Sequence, residues 1–289
     1  MNVIKKLKSM PFKLVAAFKF LCSVYRFGGY TTHTLTSINR EASLKGKHVL
    51  VTGGGSGIGL AIAQKCLSEG AKVVITGRNE TKLLNTISRE GSPALKSLVW
   101  DVSKTELIEE MLIKTETLLE GEVDVLVNNA GIVKVTEFPN VKESLWDQVY
   151  DTNSKGVFFL TQALCSRWMN KEKDRGLKKV INISSQGGYV GATHPYRMSK
   201  WDIVGLTQGL GLRLASEGII INGIAPGMTA TDALPFVLKQ GGNSYTPDIP
   251  IGRYIQPSEI AELASFLMSD ASNSIVGQTI KCDGGYCLI

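Results

Sequence analysis

The chain contains 289 residues, of which 43% are hydrophobic and 20% are charged, and its formal net charge at pH 7 is +6. This length suits a single domain with a large core, and the sequence has no internal repeats, low-complexity tracts or linker that would indicate a second domain. Its five cysteines are odd in number and lack C-x-x-C spacing, which argues against a disulfide framework or a zinc site and favours a reducing, cytoplasmic compartment.

Positive charge is concentrated in an N-terminal extension, which we take as residues 1–44. Residues 1–40 carry seven lysines and arginines and no acidic residue, so the remainder of the chain is close to neutral. Lys19 interrupts an apolar run that is too short for a typical transmembrane helix, and no small-residue cleavage site marks a signal peptide. Three interpretations stay open for residues 1–40: peripheral contact with an anionic membrane surface, packing on the folded domain or a neighbouring subunit, and disorder.

A glycine-rich turn follows the first predicted strand. Residues His48–Thr52 are apolar and β-branched, which predicts a buried strand, and helical periodicity continues from Leu60. Gly53 permits a tight turn, Gly57 removes a side chain where a pyrophosphate would approach the backbone, and Gly59 lets strand and helix pack closely. This order is typical of a dinucleotide site, and a glycine turn that binds nothing is the alternative.

Short apolar segments alternate with helical stretches along the rest of the chain. The strand candidates are residues 48–52, 73–76, 97–100, 123–127, 179–183, 219–224 and 278–281. This alternation predicts a single α/β domain over residues 45–289, with a Rossmann-type doubly wound parallel β-sheet and helices on both faces.

The second predicted strand ends at Gly77 and Arg78, a position that distinguishes between nicotinamide cofactors. An acidic residue here binds the ribose 2′-hydroxyl of NAD(H), whereas a basic residue accommodates the 2′-phosphate of NADP(H). Because Arg78 is basic, we predict a preference for NADP(H), with NAD(H) as the alternative. The plainer interpretation of Arg78 is a solvated residue at a helix start.

Tyr196 and Lys200 are four residues apart, so on a helix they share one face. Pro195 suits the first position of that helix, which places the pair in its first turns. A nearby ammonium group lowers the pKa of a phenol, so Lys200 is expected to make Tyr196 a usable acid at neutral pH. Alone, such a pair is more often a surface feature of a helix.

Together these motifs resemble those of the short-chain dehydrogenase/reductase family, from about Lys45 to Gly285. The family's T-G-x-x-x-G-x-G motif corresponds to Thr52–Gly59, and its Y-x-x-x-K motif to Tyr196–Lys200. The resemblance implies an NAD(P)-dependent oxidoreductase that transfers a hydride between a nicotinamide cofactor and a small-molecule carbonyl or alcohol. It also implies a homodimer or homotetramer.

The same resemblance assigns residues to the site. Tyr196 would be the general acid/base, Ser185 would orient the carbonyl oxygen, Asn153 would help to hold a water, and Lys200 would bind the nicotinamide ribose. The implied catalytic residues are Asn153, Ser185, Tyr196 and Lys200. The implied cofactor-binding residues are Gly53, Ser56, Gly57, Ile58, Gly59, Arg78, Asp101, Val102, Asn129, Ala130, Gly131, Tyr196, Lys200, Pro226, Gly227 and Thr231.

One departure from the family concerns the serine. Ser185 lies eleven positions before Tyr196, slightly closer than is usual, so the intervening loop must be trimmed. Ser184 is therefore an alternative, although the following Gln186-Gly187-Gly188 favours Ser185. Either serine could instead be a strand-end hydroxyl that satisfies local backbone groups.

Residues 228–256 are predicted to form a substrate lid, and the apolar side chains there indicate a partly apolar pocket. A sterol, an acyl thioester, a sugar or a small ketone could each be accommodated. Two other functions stay open: reduction of a conjugated carbon–carbon double bond, and cofactor binding without turnover. The three histidines show no ligand spacing, so no metal is expected. A nucleic-acid partner is not expected either.

Overall fold

A computed structural model of the chain describes residues 42–170, 176–231 and 246–288, together with Phe18, Leu21, Cys22 and Tyr25. The strands of these residues are β1 (His48–Thr52), β2 (Lys72–Gly77), β3 (Leu95–Val99), β4 (Val125–Asn128), β5 (Lys178–Ile183), β6 (Ile219–Pro226) and β7 (Thr279–Cys282). The α-helices are α1 (Gly57–Ser68), α2 (Glu80–Glu90), α3 (Ile108–Leu119), α4 (Glu143–Tyr150), α5 (Val157–Met169), α6 (Pro195–Leu214) and α7 (Pro257–Met268). A π-helical segment, Asp151–Gly156, joins α4 to α5.

The strands form one parallel sheet in the order β3-β2-β1-β4-β5-β6-β7. β1 pairs with β2 on one side and with β4 on the other, so the direction of winding reverses between β1 and β4. In sheets of this kind, ligands bind in the crevice outside the carboxyl ends of the strands at this reversal. The predicted doubly wound parallel sheet is confirmed, and each of the seven predicted strands overlaps an observed strand.

Two apolar clusters cover the two faces of the sheet. Val49 and Val51 point into one cluster, which α1 and α7 complete with residues such as Ile62. Leu50 points to the other face, where α3 and α5 supply residues such as Leu112. The five inner strands, β1, β2, β4, β5 and β6, are buried on both faces, which explains why they read as apolar runs rather than as alternating patterns.

The segment before β1 belongs to this packing, because Leu44 is fully buried in the cluster beside α1. Most of the predicted N-terminal extension lies outside the described residues, and so does the middle of the predicted lid, residues 232–245. In the parts of the chain that the structure describes, none of the helices combines the length and apolarity needed to cross a membrane.

Candidate active site

The glycine-rich turn between β1 and α1 forms a cradle at the reversal of the sheet. Gly53 has φ of +65° and Gly57 has φ of +56°, a backbone region in which side chains are strained. A Cβ atom on Gly53 would lie 2.9 Å from the Cα of Ala130. The helix begins at Gly57 without a side-chain cap from Ser56 and without an acidic residue in its first turn. Uncapped N–H groups and the helix dipole therefore suit a phosphate group.

Gly59 has a different use, because it does not line the cradle but lets α1 pack closely against Gly53 and Asn129. A Cβ atom there would lie 2.4 Å from Nδ2 of Asn129 and 2.5 Å from the carbonyl oxygen of Gly53. Asn129 Nδ2 donates to the carbonyl oxygens of Thr52 and Gly53, both at 3.0 Å. The Thr52 hydroxyl oxygen in turn accepts from the backbone N–H groups of Asn129 and Ala130. These bonds fix the ends of β1 and β4 to one another.

A cavity of about 340 Å³ opens beside the cradle. Most of the predicted cofactor-binding residues line it, so the structure brings together positions that are far apart in sequence. Among its lining residues are Gly53, Ser56, Gly57, Ile58, Arg78, Asp101, Val102, Asn129, Ala130, Gly131 and Thr231. The concave, glycine-lined shape and the arginine at one end fit an anionic dinucleotide.

A second cavity, of about 460 Å³, contains the predicted serine, tyrosine and lysine. Pro226 and Gly227 line it as well, and Ile58, Asn129, Gly131 and Thr231 are shared with the first cavity. The two cavities are thus neighbouring parts of one crevice along the carboxyl edge of the sheet.

Tyr196 and Lys200 lie in the first turns of α6, which begins at Pro195 as predicted. Nζ of Lys200 is 5.9 Å from the centroid of the Tyr196 ring and donates to the carbonyl oxygen of Ile183 at 2.9 Å. His194 caps the helix, because its Nδ1 accepts from the backbone N–H of Arg197 at 3.4 Å. The pair therefore shares one helix face, inside a crevice rather than on the surface.

The two serines at the end of β5 have different contacts. Ser184 is buried and its hydroxyl donates to the carbonyl oxygen of Lys200 at 2.8 Å, which attaches β5 to α6. The Ser185 side chain is hydrogen bonded to Tyr196 and also accepts from the backbone N–H of Gly187 at 3.1 Å. Of the two hydroxyls, that of Ser185 is therefore the one bonded to the phenol.

Asn153 lies in the π-helical segment, a type of distortion that is frequent at functional sites. Its Oδ1 accepts from the backbone N–H of Ile132 at 2.8 Å, and its Nδ2 donates to the Ile132 carbonyl and the Ser199 hydroxyl, both at 3.1 Å. A Cβ atom on Gly131 would lie 3.4 Å from Asn153 Oδ1 and 3.7 Å from Lys200 Nζ. The side chains of Asn153 and Lys200 thus both lie close to Gly131.

Burial controls the protonation of the tyrosine and the lysine. It raises the pKa of the Tyr196 phenol, and the hydrogen bond with Ser185 offsets part of that rise. It lowers the pKa of the Lys200 ammonium to about 8. The net shift of the Tyr196 pKa is therefore opposite in direction to the one expected from Lys200 alone, because the loss of solvent around the phenol is the largest effect.

Comparisons with known proteins agree with this arrangement. The sequence profile of the family described as enoyl-(acyl carrier protein) reductase matches residues 53–287. The acetoacetyl-CoA reductase of Rhizobium meliloti is 36% identical over 241 residues, which cover 82% of this chain and 96% of that protein.

The chain belongs to the short-chain dehydrogenase/reductase family. Two solved ketoreductases are similar to it in structure. The 3-ketoacyl-(acyl-carrier-protein) reductase from Brucella melitensis, complexed with NADH, has a TM-score of 0.76 and 29% identity, covering 84% of this chain and 99% of its own. A variant of the actinorhodin polyketide ketoreductase with NADPH also has a TM-score of 0.76, with 33% identity and coverage of 86% and 100%. The resemblance seen in the sequence is confirmed, and the protein is an NAD(P)-dependent oxidoreductase.

Some residues of this dehydrogenase/reductase crevice were not predicted from the sequence. Thr76 and Trp100 line the first cavity, and Glu137, Arg197 and Tyr286 line the second. Trp100 directly precedes the predicted site residue Asp101, and Thr76 lies two residues before Arg78, which is a signal that could have found them. No comparable signal marks Tyr286, which the chain brings in from its last turn. Among the described residues, no cluster of histidine, cysteine and acidic side chains could hold a metal ion.

Proposed function

We propose that the protein uses NADPH to reduce the 3-oxo group of an acyl thioester to a hydroxyl group. The observation that supports this most is that Ser185, Tyr196 and Lys200 line a cavity continuous with the glycine-lined cradle. The acetoacetyl-CoA and ketoacyl reductases among its relatives favour a 3-oxoacyl substrate.

Each side chain has a distinct part in the proposed reaction. When bound, the nicotinamide supplies a hydride to the carbonyl carbon. Tyr196 is protonated at neutral pH, since burial raises its pKa, and it gives that proton to the carbonyl oxygen as negative charge develops there. Ser185 donates a hydrogen bond to the same oxygen. Lys200 stabilises the phenolate that remains, and Asn153 fixes the backbone of Ile132, the residue after Gly131, through two hydrogen bonds.

The catalytic part of this proposal is tested with Tyr196→Phe, which removes the proton donor and keeps the ring. With acetoacetyl-CoA and NADPH, we expect turnover to fall by about 100-fold or more while the dissociation constant for NADPH stays the same. Turnover is followed by the loss of NADPH absorbance, and binding by fluorescence titration.

Tyr189→Phe is the matched control, because the Tyr189 hydroxyl donates to the Thr279 carbonyl and Tyr189 does not line the described part of the cavity. Equal activity in wild type and Tyr196→Phe would contradict the proposed acid. Binding of NADPH without turnover of any carbonyl substrate would favour a scaffold. Turnover of crotonyl-CoA rather than acetoacetyl-CoA would favour reduction of a double bond.

The proposed preference for NADPH depends on Arg78, which lines the far end of the first cavity. Charge-assisted hydrogen bonds from a guanidinium group suit a 2′-phosphate, so Arg78→Gln should weaken NADPH binding by roughly 10- to 100-fold. NADH binding should stay the same, because NADH lacks that phosphate. Arg89→Gln serves as the control, since Arg89 lies on the exposed face of α2. Equal losses for both dinucleotides would contradict a 2′-phosphate contact.

We also propose that the protein is a homo-oligomer, assembled through the outer face of α5 and α6. Phe158 and Phe159 are each 41% exposed there, and Trp201 is 46% exposed. Phe158 and Phe159 border a groove of about 590 Å³ that Ile203 and Leu206 line from α6. An exposed apolar surface of this kind is typical of a protein interface.

For the location of the protein we propose the cytoplasm, where all five unpaired thiols would stay reduced. Peripheral membrane contact through residues 1–40 also stays a proposal. Of that segment the structure describes Phe18, Leu21, Cys22 and Tyr25, whose side chains are exposed.

A further inference from the structure

Arg197, the residue after the catalytic tyrosine, contributes a positive charge to the second cavity that the proposed reaction does not use. It lines this cavity together with Ser185, Tyr196 and Lys200. The Arg197 side chain is partly exposed, and its Nη1 donates to the carbonyl oxygen of Gly191 at 3.2 Å in a solvent-exposed position. The cavity that holds the proposed acid therefore also has a solvent-accessible guanidinium group.

The stem of the Arg197 side chain lies beside the catalytic serine. A Cβ atom on Gly187 would lie 3.1 Å from Cγ of Arg197 and 3.4 Å from the hydroxyl oxygen of Ser185, so both atoms border the small space that this glycine leaves open. The Ser185 side chain is also hydrogen bonded to Tyr196. The atoms next to a ketone that Ser185 and Tyr196 hold would therefore be within reach of the Arg197 side chain.

The loop that accepts the hydrogen bond of Arg197 is attached to the same helix, α6. Gly191 follows Val190, whose carbonyl oxygen accepts from Nε1 of Trp201 at 2.9 Å. Val190 and His194, on either side of Gly191, line the second cavity. The guanidinium group is thus held at the edge of the cavity by a loop that α6 fixes.

The charge of Arg197 is not neutralised by a neighbouring carboxylate. Among the described residues, the Gly191 carbonyl oxygen is the only hydrogen-bond acceptor of the guanidinium group, and no acidic side chain forms an ion pair with it. Glu137 lines the same cavity, but its carboxylate accepts from the Thr193 hydroxyl at 2.7 Å. Burial lowers the pKa of His194, and Glu137 and Arg197 act on that pKa in opposite directions, so both charges lie near this imidazole. A guanidinium group has five N–H donors, and most of those of Arg197 stay available to a ligand.

We propose that Arg197 is a specificity-determining residue, whose guanidinium group hydrogen bonds to a second acceptor oxygen of the substrate beside the reacting ketone. In a 3-oxoacyl thioester this acceptor is the thioester carbonyl oxygen, which one methylene group separates from the ketone. A hydrogen bond from a charged donor is stronger than one between neutral groups, so Arg197 favours a ketone that carries such an acceptor. This inference rests on the proposed function and names the residue that recognises the thioester.

The experiment compares Arg197→Met, Arg197→Lys and Arg213→Met with the wild type. Methionine keeps an unbranched stem beside Gly187 and removes the donors, whereas lysine keeps the charge without the planar set of five donors. Arg213→Met is the matched control, because Arg213 is exposed in the last turn of the same helix and does not line the described part of the second cavity.

Two thioester substrates separate the possible partners of the guanidinium group. Acetoacetyl-CoA carries the phosphates of CoA, whereas S-acetoacetyl-N-acetylcysteamine has the same ketone and thioester without any phosphate. The kcat and KM for each substrate are measured by the loss of NADPH absorbance, and the dissociation constant for NADPH by fluorescence titration.

We expect Arg197→Met to raise the KM for both thioesters by about 10- to 100-fold, the size of one charge-assisted hydrogen bond. The kcat should stay within about two-fold of the wild type, because the thioester oxygen is bound alike in the substrate and in the transition state. Arg197→Lys should recover part of the loss. Arg213→Met should match the wild type, and all variants should bind NADPH normally.

Unchanged KM values in Arg197→Met would overturn the inference. A rise in KM for acetoacetyl-CoA alone, or a wild type that reduces that substrate alone, would also overturn it, because the CoA phosphates rather than the thioester would then decide binding. A lower kcat at an unchanged KM would mean that Arg197 acts by placing Tyr196. If the wild type reduces neither thioester, the proposed function itself fails, and this outcome is distinct from the others.

Discussion

At the scale of single residues, the lysine of the active site is buried and carries a positive charge. Lys200 donates to the Ile183 carbonyl, and burial lowers the pKa of its ammonium to about 8. In the proposed function this group faces a dinucleotide that carries phosphate charges. A nearby anion favours the charged form of an amine, so binding of the dinucleotide should raise the pKa of Lys200.

A pH dependence of cofactor binding follows from this pKa. Below pH 8 Lys200 is mostly charged, and above pH 8 the neutral amine predominates, so NADPH affinity should fall as the pH rises through about 8. By linkage, binding near pH 8 should take up a proton. Fluorescence titration across the pH range measures the first effect, and calorimetry in two buffers of different ionisation enthalpy measures the second.

Lys200→Met is the control for that prediction, since it has no group that titrates in this range. Its NADPH affinity should be weaker and should lose the change near pH 8. If the wild-type affinity stays constant from pH 7 to about 9, the ammonium has no share in holding the dinucleotide.

The spacing of Tyr196 and Lys200 could be read from the sequence, but the environment of the pair could not. The i, i+4 pattern places both on one helix face, and the structure agrees. The direction in which the Tyr196 pKa shifts depends on how much solvent the surrounding segments exclude. The spacing of two residues in the sequence carries no information on that. The hydrogen bond between Ser184 and the Lys200 carbonyl was likewise invisible, because it depends on how α6 docks against β5.

At the scale of elements, the crossing of β1 and α1 depends on one glycine. A Cβ atom on Gly59 would lie 2.5 Å from the carbonyl oxygen of Gly53, a backbone atom that has little freedom to move. Gly59→Ala should therefore lower the free energy of unfolding by about 1–3 kcal/mol, the usual cost of overpacking. Because the cradle must shift, NADPH affinity should fall as well. Chemical denaturation and fluorescence titration measure the two effects.

Gly209→Ala tests whether that effect is specific to the position. Gly209 lies within α6 and a Cβ atom there would meet no other atom within 4 Å. Alanine is the better helix former, so this variant should be more stable by about 0.5–1 kcal/mol. A Gly59→Ala protein as stable as the wild type would mean that α1 can shift along β1 without loss.

Elements whose ends are marked by turn residues or by a change of hydrophobic period could be predicted from the sequence, and elements without such signals could not. β1 and α1 were found because an apolar run, three glycines and a helical period follow one another. The π-helical segment Asp151–Gly156 has no such signal, since α4, this segment and α5 continue as one helical stretch. Its irregular turn arises from tertiary contacts, among them the bonds of Asn153 to Ile132.

At the scale of the whole molecule, the proposed assembly face and the active site share helix α6. Tyr196 and Lys200 lie in its first turns toward the crevice, while Ile203 and Leu206 line the outer groove. On the face of the sheet that α5 and α6 cover, the buried side chains of Asn128 and Asn182 connect Thr161 of α5 to Thr207 of α6, at 2.9 Å for each bond. A neighbouring subunit on this face would therefore support the helix that carries the catalytic pair.

The double variant Phe158→Glu, Phe159→Glu tests the proposed assembly. Each chain has a mass of 31.3 kDa, and light scattering after size-exclusion chromatography should give a multiple of this mass for the wild type. Two carboxylates in the apolar groove would remain unpaired at the interface, so the variant should elute at the mass of one chain. Ile113→Glu is the control, because Ile113 is 59% exposed on α3, outside this face, and should leave the mass unchanged. The proposal that the outer face of α5 and α6 is the interface would be contradicted if the wild type had the mass of one chain. It would also be contradicted if the double variant assembled normally.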